Sequence, residues 1–322
     1  MTVEHACACA LAKPWGIFDL RPWSNACHDG GAIGEIWYER SGREAAEPSL
    51  LLKILFTNQP LSIQVHPDDA FAHSIGLPRG KTEAWYILRA APEAKVALGL
   101  NQRLTSKQLR AAVDDGSISK LVVWQAVSCG DAIFVPAGTI HAIGAGLVIA
   151  EIQQRSDATF RLFDHGRQRA LHVENAVAAA DPGPAHVQGH PNQLTDERTL
   201  LISSPYFVLE RIELQPDSTW RLDGERETWF LVLSGDARAN SFDMSTGDAL
   251  FMQSDSVSLH AGSTGLVGLV AYTGEDPVPI LLRRARQRGA TEQRLPRATQ
   301  APPLVPRVKT TTSTNERLEL SQ

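Results

Sequence analysis

Gly130-Asp131-Ala132-Ile133-Phe134-Val135-Pro136-Ala137-Gly138-Thr139-Ile140-His141 is the stretch that decides the fold. Its apolar run, Ala132 to Val135, is bounded by Gly-Asp and by Pro-Ala-Gly, the punctuation of a short strand that ends in a turn. The turn aims His141 inward. Upstream, Leu61-Ser62-Ile63-Gln64-Val65-His66-Pro67-Asp68 reads as a second strand. Residues two apart on a strand share a face, so Ser62, Gln64 and His66 point the same way. Between these segments lies Gly80-Lys81-Thr82-Glu83-Ala84-Trp85-Tyr86, where Glu83 opens a third strand. Gln64, His66, Glu83 and His141 then offer two imidazoles, one carboxylate and one amide oxygen. Zn suits such a set, and Fe or Mn can also use it. A lone buried histidine is ordinarily a hydrogen-bonded core residue; the shared pattern is what separates these two from that reading.

Outward from this centre, short runs rich in Val, Ile, Leu, Phe and Trp recur between Gly, Pro, Asp and Asn. Leu50-Phe56, Ala84-Arg89, Leu147-Ile152, Tyr206-Leu214, Thr228-Leu233 and Leu266-Ala271 are examples. Such runs predict an all-β sandwich or barrel. Helical patterns are few. Leu104 to Gly116 is the clearest, with Thr105 and Gln108 as a capping box, an apolar face of Leu109, Ala112 and Val113, and Gly116 as the stop. A second is expected over His172-Ala180. Asp-Pro-Gly-Pro within Ala180-Gln193 reads as a linker between two β units. The stretch 285–322, rich in Arg, Pro, Thr and Gln, predicts a disordered tail.

The 322 residues carry 31 Lys+Arg against 36 Asp+Glu, a formal net charge of -5. That balance gives no reason to expect nucleic acid or an anionic membrane as partner. An anionic small molecule would need a local basic pocket. No apolar stretch approaches the roughly 20 residues of a membrane span, and Ala6 to Ala12 is too short for a signal-peptide core. The four cysteines, Cys7, Cys9, Cys27 and Cys129, form no disulfide framework and read as reduced thiols of a cytoplasmic protein.

The stretch 130–141 resembles the second cupin motif, Gly-x5-Pro-x-Gly-x2-His, with Ala145 where a closing Asn is usual. The first cupin motif normally supplies His-x-His and a nearby Glu; here Gln64 replaces the first His, and Glu83 arrives late. That departure is similar to the class I mannose-6-phosphate isomerases. The match covers Leu61-Asp69 (LSIQVHPDD), Gly80-Leu88 (GKTEAWYIL), Pro136-Arg167 and Arg169-His172 (RALH), with Lys13-Gly16 (KPWG) and Ile33-Trp37 (IGEIW) as weaker support. The resemblance implies a mostly β, two-unit cupin, or jelly-roll β-barrel, with a small helical segment. It implies a catalytic metal-binding unit over 1–180, a degenerate second cupin without metal over 194–284, and the tail 285–322. It further implies one Zn2+ on Gln64, His66, Glu83 and His141, a catalytic Arg161, and Glu151, Lys81 and Ser62 lining a sugar-phosphate pocket.

The implied reaction interconverts an aldose and a ketose phosphate by proton transfer through an enediolate, and it needs a base and a cationic or Lewis-acid partner. Glu151 and Lys81 are both candidate proton carriers. Arg161 either stabilises the enediolate or clamps the phosphate, unless it is spent on an ion pair with Asp157 or Asp164. His165, Arg167 and His172 are expected at the rim. Two alternatives carry the same fold: a sugar-phosphate-binding cupin without turnover, and a metal-cupin enzyme with another substrate. Gly80-Lys81-Thr82 is not the end of a P-loop, since Ile75 stands where that motif requires glycine. Oligomeric state stays open.

Overall fold

The computed structural model describes residues 2–24, 31–42, 46–185 and 189–285. Cys27 and the expected tail from residue 286 onward lie outside them. Three antiparallel sheets and four short helices make up the described residues. A six-stranded sheet runs in the order Cys7–Ile17, Ile33–Glu39, Leu50–Thr57, Leu147–Gln154, Glu83–Ala90, Ala132–Val135. A five-stranded sheet runs Phe160–Phe163, Ile63–Val65, His141–Ile143, Lys95–Leu100, Val122–Ala126. A ten-stranded sheet takes in the strands from Asn192 to Arg284, and the strand Thr2–His5 joins it by pairing with Ala249–Gln253. No helix among these residues is long and apolar enough to cross a membrane.

The six-stranded sheet lies at the centre and is covered on both faces. One face packs Ile36, Leu52, Ile54, Phe56, Ala84 and Ala150 against Phe207, Trp229 and Phe251 of the ten-stranded sheet. The other packs Leu55, Trp85, Ile87 and Ile149 with Val96 and Ile143 of the five-stranded sheet. Strands buried on both faces read as continuous apolar runs, which is why Leu50–Thr57 and Leu147–Gln154 show little alternation and are buried along their whole length. Lys53, Glu151 and Gln153 share the face toward the five-stranded sheet, whereas Gln154 lies on the opposite face.

Helix Ser106–Asp114 has the capping box expected at Thr105 and Gln108, and Gly116 follows with φ 75°. It closes the far side of the five-stranded sheet with Val173–Ala179. Helix Asp69–Ser74 was not legible as a helix, because six residues are too few to show a period. The strand Cys7–Ile17 was also missed, because its exposed outer residues blur the alternation. The first part of the expected linker is docked: Asp181 bridges to Thr139 and Pro184 to Gly99.

Candidate metal centre and reaction cavity

Strand register assembles the site. In the six-stranded sheet, Trp37 lies opposite Lys53, Lys53 opposite Glu151, and Glu151 opposite Trp85. Glu83 enters the same face one pair along, opposite Gln153. In the five-stranded sheet, Arg161 lies opposite Gln64, and Gln64 opposite His141. The two rows line one interior, so residues far apart in sequence become neighbours.

His66, Glu83 and His141 come together fully buried, with one ligand atom of each within 4.8 Å of the others. Their orientation is fixed from outside. The His66 Nδ1–H donates to the Ala158 carbonyl at 2.8 Å, and the His141 Nδ1–H to the Thr139 carbonyl at 2.9 Å. A carbonyl only accepts, so each ring carries its proton on Nδ1 and turns a bare Nε2 lone pair inward. Glu83 Oε2 lies 3.3 Å from His66 Nε2, and Oε1 lies 3.5 Å from His141 Nε2. The Gln64 amide stands beside them, with Nε2 3.2 Å from His141 Nε2 and Oε1 accepting from Ser62 Oγ at 3.1 Å. Half a turn about its last bond exchanges the two and presents an oxygen to the cluster. The donor set fits a divalent cation, and a cation already touches it: Lys81 Nζ lies 2.9 Å from Glu83 Oε2 and 2.8 Å from His66 Nε2.

Burial, and after it the Lys81 ammonium, push the His66 imidazole down to about 3; burial also lowers His141. Both rings are neutral at ordinary pH, as a metal ligand must be. Burial would raise the Glu83 carboxyl, but the Lys81 ammonium beside it outweighs burial and holds it ionised. Glu151 moves the other way: burial and the Glu83 charge raise it despite Lys53 and Lys81.

A cavity of about 180 Å³ opens beside the cluster, lined among others by Lys13, Lys53, Ser62, Gln64, Lys81, Glu151 and Arg161. Five cations (Lys13, Lys53, Lys81, Arg161, Arg169) face three carboxylates (Glu35, Glu151, Asp157) across it. The cavity is basic although the chain is acidic, which favours an anionic ligand. Trp85 Nε1 stands 3.1 Å from both Glu83 Oε1 and Glu151 Oε2, tying the cluster to the cavity wall.

Gln64, His66, Glu83, His141, Ser62, Lys81, Glu151 and Arg161 all lie in the cluster or the cavity wall beside it. Arg161 is not consumed by an ion pair among the described residues: Asp164 is taken by Arg167 and Arg169, and the Arg161 guanidinium makes one long contact, 3.4 Å, with the Ala170 carbonyl. His165 is held by the Leu61 carbonyl, and His172 accepts from the Arg161 backbone N–H. Sequence reasoning missed Lys53, buried 3.5 Å from Glu151 and stacked on Trp37 at 4.5 Å. Its signal was present, a single cation inside an eight-residue apolar strand. Lys13 and Glu35, paired at 3.2 Å, sit in stretches noted for resemblance and were given no role.

No protein-family profile matches the chain. A mannose-6-phosphate isomerase of Streptococcus mutans is 35% identical over 222 residues, covering 63% of this chain and 67% of that one. The mannose-6-phosphate isomerase ManA of Bacillus subtilis is 33% identical over 229 residues, covering 65% and 70%. Among solved structures, the mannose 6-phosphate isomerase from Bacillus subtilis superposes with TM-score 0.72 at 22% identity, over 84% of this chain and all of that one. A variant of phosphomannose isomerase from Salmonella typhimurium gives TM-score 0.66 at 15% identity, over 85% and 100%. These superpositions show a common fold.

Proposed function

The chain belongs to the mannose-6-phosphate isomerase family, and from that premise we propose that it interconverts mannose-6-phosphate and fructose-6-phosphate. A proton moves between C1 and C2 through an enediolate. The observation that carries this reading is the convergence of two rows, Lys53–Glu151–Trp85 and Arg161–Gln64–His141, on one basic cavity beside a buried His-Glu-His cluster. Residues 1–180 form the catalytic unit in this reading, and 194–284 a second cupin without a ligand set.

Gln64, His66, Glu83 and His141 would hold one Zn2+. When bound, it supplies a Lewis acid at the sugar oxygens and fixes the reacting end. Glu151 moves the carbon-bound proton: its burial raises the carboxyl toward the range where it can both take and return one. Lys53 and the Trp85 N–H hold it in line. The Lys81 ammonium stabilises charge that develops on the sugar oxygens. Arg161, with a guanidinium free of carboxylate partners among the described residues, and Ser62 bind the substrate across the cavity. Cys7, Cys9 and Cys129 are free thiols, which supports the reading of a reducing cytoplasm.

The test is conversion of mannose-6-phosphate to fructose-6-phosphate by the purified protein, before chelation, after it, and with zinc restored. Activity lost on chelation and regained with zinc supports both the reaction and the metal. A folded, zinc-loaded protein that binds the sugar phosphate and never converts it would overturn the reading.

A further inference from the structure

Asp69 lines no part of the reaction cavity, yet it holds the segment that delivers Lys81. Its Oδ1 accepts from the Gly80 backbone N–H at 2.7 Å and from Gln154 Nε2 at 3.0 Å. Gln154 in turn grips the next residues. Its Oε1 accepts from Thr82 N at 2.9 Å, and its own N–H donates to the Thr82 carbonyl at 3.0 Å. Lys81 N donates to the Pro67 carbonyl at 2.9 Å. All three backbone N–H groups of Gly80-Lys81-Thr82 are thus committed, two of them to side chains. Gly80 presses so closely on the chain that a Cβ there would stand 2.5 Å from the Asp68 carbonyl carbon.

Tyr206, from the second half of the chain, stands beside Asp69 in a shared cleft, and the two groups interact electrostatically. Asp69, Gln154 and Tyr206 line a cleft of about 210 Å³ on the side of the segment away from the cavity. The adjacent Asp68 has a different task, capping the helix Asp69–Ser74 through Phe71 N at 2.7 Å.

We propose that Asp69 is a positioning residue for the isomerisation, fixing the Gly80–Thr82 backbone so that Lys81 meets the His66–Glu83 pair, with Tyr206 steadying it from the second half. This rests on the isomerase reading above. The second half then has a use without a ligand set of its own: it braces the back of the site. A long, flexible side chain places its ammonium only as well as its Cα is placed, and misplacing a reacting group by about 1 Å can cost as much as a hundredfold in rate.

The experiment compares wild type, Asp69→Ala, Asp69→Asn and Tyr206→Phe by amide hydrogen exchange over residues 78–84, zinc content, and kcat and KM for mannose-6-phosphate. Asp69→Ala is expected to speed exchange at Gly80 and lower kcat about ten- to a hundredfold, with KM within about threefold and zinc retained. Asp69→Asn keeps an acceptor oxygen for Gly80 and Gln154 and recovers most of the turnover. Tyr206→Phe, which removes one hydroxyl, falls between. Wild-type exchange and kcat in Asp69→Ala overturn the proposal. So does equal loss in Asp69→Asn, which would point to charge, or loss of zinc in step with kcat in Tyr206→Phe, which would point to general destabilisation. Faster exchange in Asp69→Ala while wild type itself fails to convert mannose-6-phosphate supports the brace and removes only the substrate reading.

Discussion

Lys81 Nζ stands 2.8 Å from His66 Nε2, both groups buried, so an ammonium and a proposed metal ligand share one point of the site. Glu83 Oε2 joins them, 2.9 Å from the ammonium. A cation at that point neutralises the buried carboxylate, which would otherwise be costly to keep ionised. A divalent cation on these ligand atoms would share them with that ammonium, which also lines the cavity.

Replacing Lys81 with Met therefore separates the two duties. Turnover should fall by about 10²- to 10⁴-fold, the range for loss of an acid–base or charge-stabilising group. Zinc affinity, read by competition with a chelator, should be equal or tighter, since a competing charge has gone. A tenfold weaker affinity would show that Lys81 supports the ligand set instead.

Arg161→Ala should lower kcat/KM by at least about a hundredfold while zinc stays bound and the melting temperature barely moves. The guanidinium makes no ion pair among the described residues and only one long hydrogen bond, so little fold stability depends on it. Near-normal turnover in steady-state kinetics would remove Arg161 from the mechanism.

The metal-free protein should lose stability on acidification. The His66 ring has a folded value of about 3 against 6.5 when free, so the unfolded chain binds the extra proton throughout that interval. Stability is then highest above pH 6.5 and falls as pH drops toward 3, by roughly 1 kcal/mol per pH unit from this group. His141 is lowered too and acts in the same direction; Glu151, raised, acts against it. Urea unfolding of wild type and His66→Asn from pH 7 to 4 isolates the contribution, because the variant cannot take that proton. Parallel profiles would refute it.

Gly80→Ala should cost about 1–3 kcal/mol by overpacking, since the added methyl meets the Pro67 and Asp68 backbone, which cannot swing aside as a side chain would. Chemical denaturation measures this. A neutral outcome would mean that the segment yields easily, and would weaken the case for a rigidly delivered Lys81.

The sequence alone determined the strand character of Leu50-Phe56, Ala132-Val135 and Leu147-Ile152, the capped helix after Thr105, and the four candidate ligands. These depend on local rules: side-chain alternation, turn residues and capping geometry act over a few positions and are written along the chain. Tertiary structure alone decided which residues meet. Glu151 faces Lys53 and Trp85 because strand register set them side by side, and no local pattern encodes that register. Lys53 looked like one cation in an apolar strand until a second sheet covered it. No local pattern assigned Asp69 a role; Gly80 and Gln154 meet at its carboxylate from two other segments. Long-range pairing is fixed by burial of whole faces, a property of the assembled sheets rather than of any one stretch.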